Sequence, residues 1–88
     1  MIVEFLARFS KDIDCINQKS IKNNLIKVIL SFETANSIND ISNVKKLSGH
    51  KSAYRVRIGD YRVGIFIDGN KVQFARIVHR KDIYKVFP

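Results

Sequence analysis

Residues 54–67 read Tyr-Arg-Val-Arg-Ile-Gly-Asp-Tyr-Arg-Val-Gly-Ile-Phe-Ile, and this stretch decides the fold. Apolar and polar side chains alternate on both sides of Gly59-Asp60, which is the pattern of two half-buried strands joined by a tight turn. A two-residue loop at this dipeptide places Arg57 directly opposite Arg62. The stretch therefore predicts an antiparallel hairpin with one apolar face and one face that carries arginines.

A second turn at residues 68–71 and a strand over residues 72–78 extend this hairpin into a three-stranded meander. We predict that Ile67 pairs with Val72 and that Tyr61 pairs with Val78. The core face then consists of Tyr54, Val56, Ile58, Tyr61, Val63, Ile65, Ile67, Val72, Phe74 and Val78. The opposite face consists of Arg55, Arg57, Arg62, Gly64, Phe66, Gln73, Ala75, Ile77 and His79. Arg76 is a misfit on the apolar face, and we expect it to reach a sheet edge or a helix carboxylate.

The first half of the chain has helical rather than strand periodicity after a short opening strand at residues 2–6. Ser10 is a suitable N-cap for a short helix over residues 11–18, and Ser20 for a second helix. The second helix has an apolar stripe formed by Ile21, Leu25, Val28, Ile29 and Phe32. Residues 36–44 are turn-rich and predict a connection.

These elements predict one α+β domain over residues 1–88. It consists of an N-terminal strand, two helices and a three-stranded antiparallel meander, with the helices packed on one face of the sheet. We expect the opening strand to join the meander as a fourth strand.

Composition restricts the class of protein further. Hydrophobic residues make up 45% of the chain, which is too many for a disordered basic tail. The single Cys15, between Ile13 and Ile16, predicts a buried thiol in a reducing compartment and provides no metal cluster. No apolar run approaches the roughly 20 residues of a membrane span, and the N-terminus lacks the layout of a signal peptide. We expect a soluble, cytoplasmic protein without a cofactor or metal.

The net charge of +8 lies entirely in the second half of the chain. Residues 1–44 contain five basic and five acidic side chains, whereas residues 45–88 contain eleven basic and three acidic ones. A field of one sign indicates an anionic partner, although a solvated basic face that aids solubility is the alternative. Arg57 opposite Arg62 costs roughly 0.2–1 kcal/mol. Gly64 between the arginines leaves room for a close ligand approach, so we interpret this face as an anion site.

Further basic and aromatic side chains surround the arginines in the sequence. Phe66 and Tyr84 are suited to stacking on bases, as proteins that bind single-stranded RNA do. His79 is the side chain best suited to proton transfer near neutral pH. The basic residues that we expect to bind RNA or the ribosome are Lys45, Lys46, Lys51, Lys81 and Lys85.

Four segments in this order resemble the RelE/ParE superfamily of bacterial toxin–antitoxin toxins: residues 45–49, 54–57, 59–63 and 79–84. The resemblance implies a sheet with helices on one side, and a toxin neutralised by a cognate antitoxin. It implies that the free toxin is a monomer and that an acidic or amphipathic antitoxin segment wraps it. In the RelE branch the toxin enters the ribosomal A site and cuts mRNA. The 2′-hydroxyl attacks the neighbouring phosphate there, and no metal is needed.

Carried over by position, the resemblance implies that catalysis uses Arg55 and Arg57 on the first meander strand, Arg62 on the next, and Arg80 and Tyr84 near the C-terminus. Well-known RelE members have lysines on the first strand, where this chain has arginines. Because arginine stays protonated and makes a poor general base, we assign proton transfer to His79.

Two other functional classes remain open at this stage. The ParE branch shares the fold but inhibits DNA gyrase without nuclease chemistry. A non-catalytic module that binds RNA or the ribosome would also explain the charge.

Overall fold

The computed structural model describes all 88 residues, and its strands form one five-stranded sheet in the order β1-β5-β4-β3-β2. The elements are β1 (Ile2–Phe5), α1 (Ala7–Asp14), α2 (Lys19–Thr34), β2 (Val44–Lys46), β3 (Ala53–Ile58), β4 (Tyr61–Asp68), β5 (Lys71–His79) and α3 (Ile83–Val86). β1 is parallel to β5, and every other pair of neighbouring strands is antiparallel. The predicted α+β class is confirmed, and the opening strand joins the meander as predicted.

The main core lies between the helices α1 and α2 and one face of the sheet. Ile21, Leu25 and Phe32 of the predicted helical stripe are buried, and Val28 and Ile29 pack against them partly exposed. The sheet contributes nine of the ten predicted core residues, six of them fully within the cluster and Tyr54, Tyr61 and Ile67 at its border. None of the helices combines the length and hydropathy that crossing a membrane requires.

The predicted boundaries of the first helix are wrong, because α1 follows the opening strand almost directly. Phe9 in its first turn is fully buried, with its ring centroid 5.4 Å from that of Phe74. This packing starts the helix at Ala7, so Ser10 lies inside the helix and is not its cap. Cys15 at the end of α1 is exposed, contrary to the prediction, because the neighbouring Ile16 occupies the buried position.

The short edge strand β2 was not predicted. Its three residues are too few to show a periodicity, and its pairing depends on the free edge of β3. Lys45 lies opposite Arg55 and Val44 lies opposite Val56. β2 therefore adds a lysine to the face that carries the arginines.

The predicted pairing of β3 with β4 is confirmed, including Arg57 opposite Arg62. The predicted pairing of β4 with β5 holds from the turn as far as Ile65 opposite Phe74 and then shifts by one residue at a β-bulge. Ala75 is the extra residue. Beyond it Tyr61 pairs with His79 rather than with Val78. Every later side chain of β5 therefore changes face, since strand side chains alternate.

The bulge resolves the misfit of Arg76. Ile77 takes the buried core position instead of Val78, and Arg76 lies opposite Gly64 on the other face. The Asp12 carboxylate of α1 accepts hydrogen bonds from Arg76 Nε at 2.8 Å, Arg76 Nη2 at 3.1 Å and the Ile77 backbone N–H at 3.0 Å. Arg76 thus pairs with a helix carboxylate, which is one of the two arrangements predicted for it. Asp12 replaces a neighbouring strand here, because β1 pairs with β5 only as far as Phe74.

A second, smaller apolar cluster covers part of the arginine-bearing face. It consists of Leu47, Ala53, Ala75, Ile83 and Phe87. The last two belong to the C-terminal segment, which folds back across the sheet through α3. This return of the chain was not predicted from the sequence.

Candidate nucleic-acid interface

The sheet face opposite α2 brings three predicted arginines together on two adjacent strands. Arg57 and Arg62 are direct cross-strand neighbours, and Arg55 precedes Arg57 by one pleat on the same face of β3. Lys45 continues the row from β2 as the partner of Arg55. Four positive side chains therefore share one surface.

Arg62 lies at the centre of this group and is partly buried. Burial lowers the pKa of Arg62, and the positive charges of Arg55, Arg57 and Arg80 lower it further, while Tyr84 opposes them. Arg62 Nη1 donates hydrogen bonds to the carbonyl oxygens of Gly59 and Tyr61, each at 2.9 Å. These bonds orient the guanidinium and leave its Nε and Nη2 free for an anion.

Arg55, Arg57 and Arg62 lack an acidic partner, unlike Arg76 and Arg80. The four ion pairs of the structure join Lys71 to Glu4, Arg76 to Asp12, Arg80 to Asp60 and Lys85 to Asp82. Arg55, Arg57 and Arg62 take part in none of them. Because like charges repel, a fold gains nothing by gathering them, and an anionic ligand would relieve the repulsion.

Arg80 and Tyr84 approach this group from the end of β5 and from α3. The Arg80 backbone N–H donates to the Asp60 carbonyl at 2.8 Å, and Arg80 Nε lies 3.9 Å from Asp60 Oδ1. Asp60 lies in the β3–β4 turn, directly before β4, the strand that carries Arg62. The Tyr84 side chain is 64% exposed, so its ring is accessible for stacking. The structure therefore brings five of the six predicted catalytic residues to one region.

His79 is the exception, because the bulge turns it toward the other side of the sheet. Its ring lies edge-on to Tyr61, with centroids 5.9 Å apart, and it borders a groove with Asp12, Cys15 and Ile16. Its Nδ1 accepts a hydrogen bond from the Lys81 backbone N–H at 3.2 Å. The prediction that His79 shares a face with the arginines is wrong.

The lysines predicted to bind RNA are spread over several surfaces. Lys45 lies beside Arg55, whereas Lys46 points to the opposite face, since it is the partner of Tyr54. Lys46 and Lys51 line a shallow groove with His50 in the β2–β3 loop. Lys81 follows β5 in a turn, and Lys85 lies on α3 within 3.7 Å of Asp82. Nowhere does the chain assemble three or more His, Cys, Asp or Glu side chains as a candidate metal site.

The gap left by Gly64 is occupied by the chain itself. A Cβ atom on this glycine would lie 2.6 Å from Phe87 Cγ, so the phenyl ring rests directly on the Gly64 backbone. The expectation of an open approach for a ligand at Gly64 is therefore wrong. The C-terminal segment was the part of the site that strand periodicity could not place.

A curated relative covers the whole chain. Toxin RelE3 of Methanocaldococcus jannaschii is 37% identical over 89 residues, spanning 100% of both sequences. This chain belongs to the RelE toxin family. No protein-family model matches the sequence.

Solved structures show the same fold for this RelE-family chain. The RelB-RelE antitoxin-toxin complex from Methanococcus jannaschii matches with a TM-score of 0.83 and 34% identity, covering 97% of this chain and 99% of that one. The Pyrococcus horikoshii RelE-RelB complex matches at a TM-score of 0.73 and 20% identity, over 93% and 97% of the chains. Staphylococcus aureus YoeB also matches at 0.73, with 18% identity over 91% and 97%. The last two similarities concern the fold alone.

Replacing Arg57 by alanine should stabilise the free protein. Arg57→Ala removes the exposed partner of a like-charge cross-strand pair, so the free energy of unfolding should rise by roughly 0.2–1 kcal/mol. Urea unfolding at low salt measures this gain, which should shrink in high salt because screening weakens the repulsion. Lys22→Ala on the exposed side of α2 is the control and should change little. A loss of stability in Arg57→Ala would contradict the like-charge interpretation.

Proposed function

We propose that this RelE-family toxin is a ribosome-dependent mRNA endonuclease that inhibits translation. The observation that carries the proposal is that Arg55, Arg57 and Arg62 share one sheet face and take part in no ion pair. Such a group suits the phosphates of a single strand of RNA, and the exposed Tyr84 beside it suits a base. Resemblance to the RelE branch supplies the reaction class.

The proposed reaction needs no group outside the RNA and the protein. The 2′-oxygen of one nucleotide attacks the adjacent phosphorus while its proton leaves to a base, and the bond from phosphorus to the 5′-oxygen breaks. A proton is delivered to that oxygen, so the products carry a 2′,3′-cyclic phosphate and a 5′-hydroxyl. Arg55, Arg57, Arg62 and Arg80 stabilise the negative charge that develops on the phosphorane.

Proton transfer requires a group other than the arginines, which stay protonated. His79 lies on the opposite side of the sheet and is poorly placed to serve. Two titratable side chains near the arginines take part in no ion pair: Lys45, opposite Arg55, and Tyr84 on α3. We assign proton transfer to Lys45 and Tyr84, and the Tyr84 ring also orients the nucleobase.

We propose that a cognate antitoxin neutralises the protein. The similar structures from Methanococcus jannaschii and Pyrococcus horikoshii are complexes with RelB. The unpaired arginines would attract acidic side chains of such a partner as they attract phosphate, so binding should weaken as salt rises.

Mapping RNA ends in a reconstituted translation system tests this function. The expected result is cleavage of ribosome-bound mRNA within codons, with 5′-hydroxyl ends, and none of the same mRNA without ribosomes. Translation arrest without new ends would indicate simple binding to the ribosome or RNA. Double-strand breaks in DNA incubated with gyrase would indicate the ParE type of activity. Either result would overturn the proposal.

Substitution of His79 should leave cleavage almost unchanged. Because the ring faces Tyr61 and α1, His79→Ala should retain a cleavage rate within about threefold of the original, in the range of an ordinary surface substitution. The same end-mapping assay measures it, alongside Tyr84→Phe as the variant that loses the hydroxyl on the arginine side. A loss in His79→Ala that matches the loss in Tyr84→Phe would return the proton-transfer role to the histidine.

A further inference from the structure

Tyr84 lies in the C-terminal segment, but other residues of that segment anchor it to the sheet. Ile83 and Phe87 are 0% and 4% exposed and lie one helical turn apart, whereas Tyr84 is 64% exposed. The Phe87 backbone N–H donates to the Ile83 carbonyl at 2.9 Å, which closes the turn around Tyr84. The orientation of Tyr84 therefore depends on where these two anchors sit.

The anchor at Phe87 exists because β4 lacks a side chain at one position. An added Cβ at Gly64 would lie 2.6, 2.7 and 2.8 Å from Phe87 Cγ, Cδ2 and Cδ1, closer than Cβ atoms approach other heavy atoms. The Phe66 ring borders the same site, with its centroid 4.9 Å from that of Phe87. Gly64 has no positive φ, so backbone conformation does not demand glycine there. The close approach of the Phe87 ring is what requires glycine at this position.

The position of Gly64 connects this anchor to the arginines. Its cross-strand neighbours are Arg55 on β3 and Arg76 on β5, so the Phe87 ring lies between two guanidinium-bearing positions of the same row. Arg76 is held by Asp12, whereas Arg55 has no acidic partner. The seat of Phe87 thus lies beside the unpaired arginines, on the strand that also carries Arg62.

We propose that Gly64 and Phe87 form a steric seat that positions Tyr84 over the arginine group. Gly64 and Phe87 are positioning residues, since neither has a polar group to offer to the reaction. The proposal rests on the proposed nuclease function for its kinetic consequence, but its structural consequence can be measured without it.

The test compares Gly64→Ala, Phe87→Ala and the double variant Gly64→Ala/Phe87→Ala. The added methyl should expel the phenyl ring and lower single-turnover cleavage of ribosome-bound mRNA by about 10- to 100-fold, as misplacement of a reacting group by about 1 Å does. The fall should appear in the cleavage rate at saturating ribosome complex rather than in its binding. Phe87→Ala should lower the rate by a similar factor, and the double variant should fall no further than Phe87→Ala, because both substitutions remove the same contact.

Hydrogen exchange of the free protein provides the readout that is independent of activity. The amides of Lys85 and residue 87 are bonded to the carbonyls of Asp82 and Ile83, and they should exchange faster in all three variants. The Ile67 amide, bonded to Ser52 away from the segment, should stay unchanged and reports that the sheet is intact. Should Ile67 also exchange faster in Gly64→Ala, Phe87→Ala decides the test, because it empties the seat without crowding β4.

The outcomes separate the two proposals. Failure of the unmodified protein to cut mRNA removes the nuclease function, while the exchange results still decide whether the seat holds the segment. Unchanged amide exchange at Lys85 and Phe87 overturns the seat. Original cleavage rates in Gly64→Ala, or losses that multiply in the double variant, overturn its role in positioning Tyr84.

Discussion

Arg62→Ala should abolish most of the cleavage of ribosome-bound mRNA while the protein stays folded. Arg62 is the cation around which Arg55, Arg57 and Arg80 gather, and its Nε and Nη2 are free to meet a phosphate. Removing one preorganised donor from the charge that develops in a transition state costs about 10²–10³-fold in rate. Single-turnover cleavage with mapped RNA ends measures this loss.

Stability distinguishes this effect from a damaged fold. Arg62→Ala gives up two hydrogen bonds to turn carbonyls but removes a charge that its neighbours repel, so the midpoint of urea unfolding should move little. Arg62→Lys keeps a charge without the planar fork and should recover only part of the activity. Lys22→Ala removes a cation from the exposed side of α2. It is the matched control and should retain the original cleavage rate. Retention of near-original cleavage by Arg62→Ala would remove Arg62 from the proposed site.

Asp12→Ala should produce the largest loss of stability among polar substitutions. The carboxylate accepts from Arg76 Nε, Arg76 Nη2 and the Ile77 N–H, and the side chains of Asp12 and Arg76 are only 14% and 16% exposed. Removing one partner of a largely buried ion pair leaves the other charge without compensation, which costs about 3 kcal/mol. Urea unfolding measures the loss as a lower midpoint with an unchanged slope.

Asp14→Ala is the matched control, since Asp14 is an exposed carboxylate on the same helix without an ion pair. Its free energy of unfolding should change by no more than about 0.5 kcal/mol. Asp12→Asn should fall between the two, because an amide oxygen can still accept from the Ile77 N–H but carries no charge. Equal stabilities of Asp12→Ala and Asp14→Ala would show that the bond network at the bulge contributes little.

The parts of the fold that were predictable depend on local pattern. The alternation on both sides of Gly59-Asp60 is sufficient to pair β3 with β4, because a two-residue turn leaves one register. The helical stripe of α2 predicts which side is buried, since only one face repeats apolar residues. The boundaries of α1 were missed because the burial of Phe9 against Phe74 decides them, and that contact spans most of the chain.

The site was predictable only in part for the same reason. Arg55, Arg57 and Arg62 follow from the hairpin alone. His79 does not, because a single extra residue at Ala75 changes the face of everything after it, and the sign of that bulge in the sequence is Arg76 at a position that strict alternation assigns to the core. The hydrogen bond that the Ile77 N–H donates to the Asp12 carboxylate joins α1 to β5 and stabilises the register shift.

By itself the sequence determined that a basic second half of the chain builds a sheet with a face of opposed arginines, because the period of two and the turn at Gly59-Asp60 are local properties. Only the tertiary structure decided what covers that face and what completes the site. It turned His79 away, brought Lys45 in on an edge strand and seated Phe87 on Gly64. Each of these depends on contacts between distant segments, and distant contacts are set by packing and register rather than by neighbouring residues.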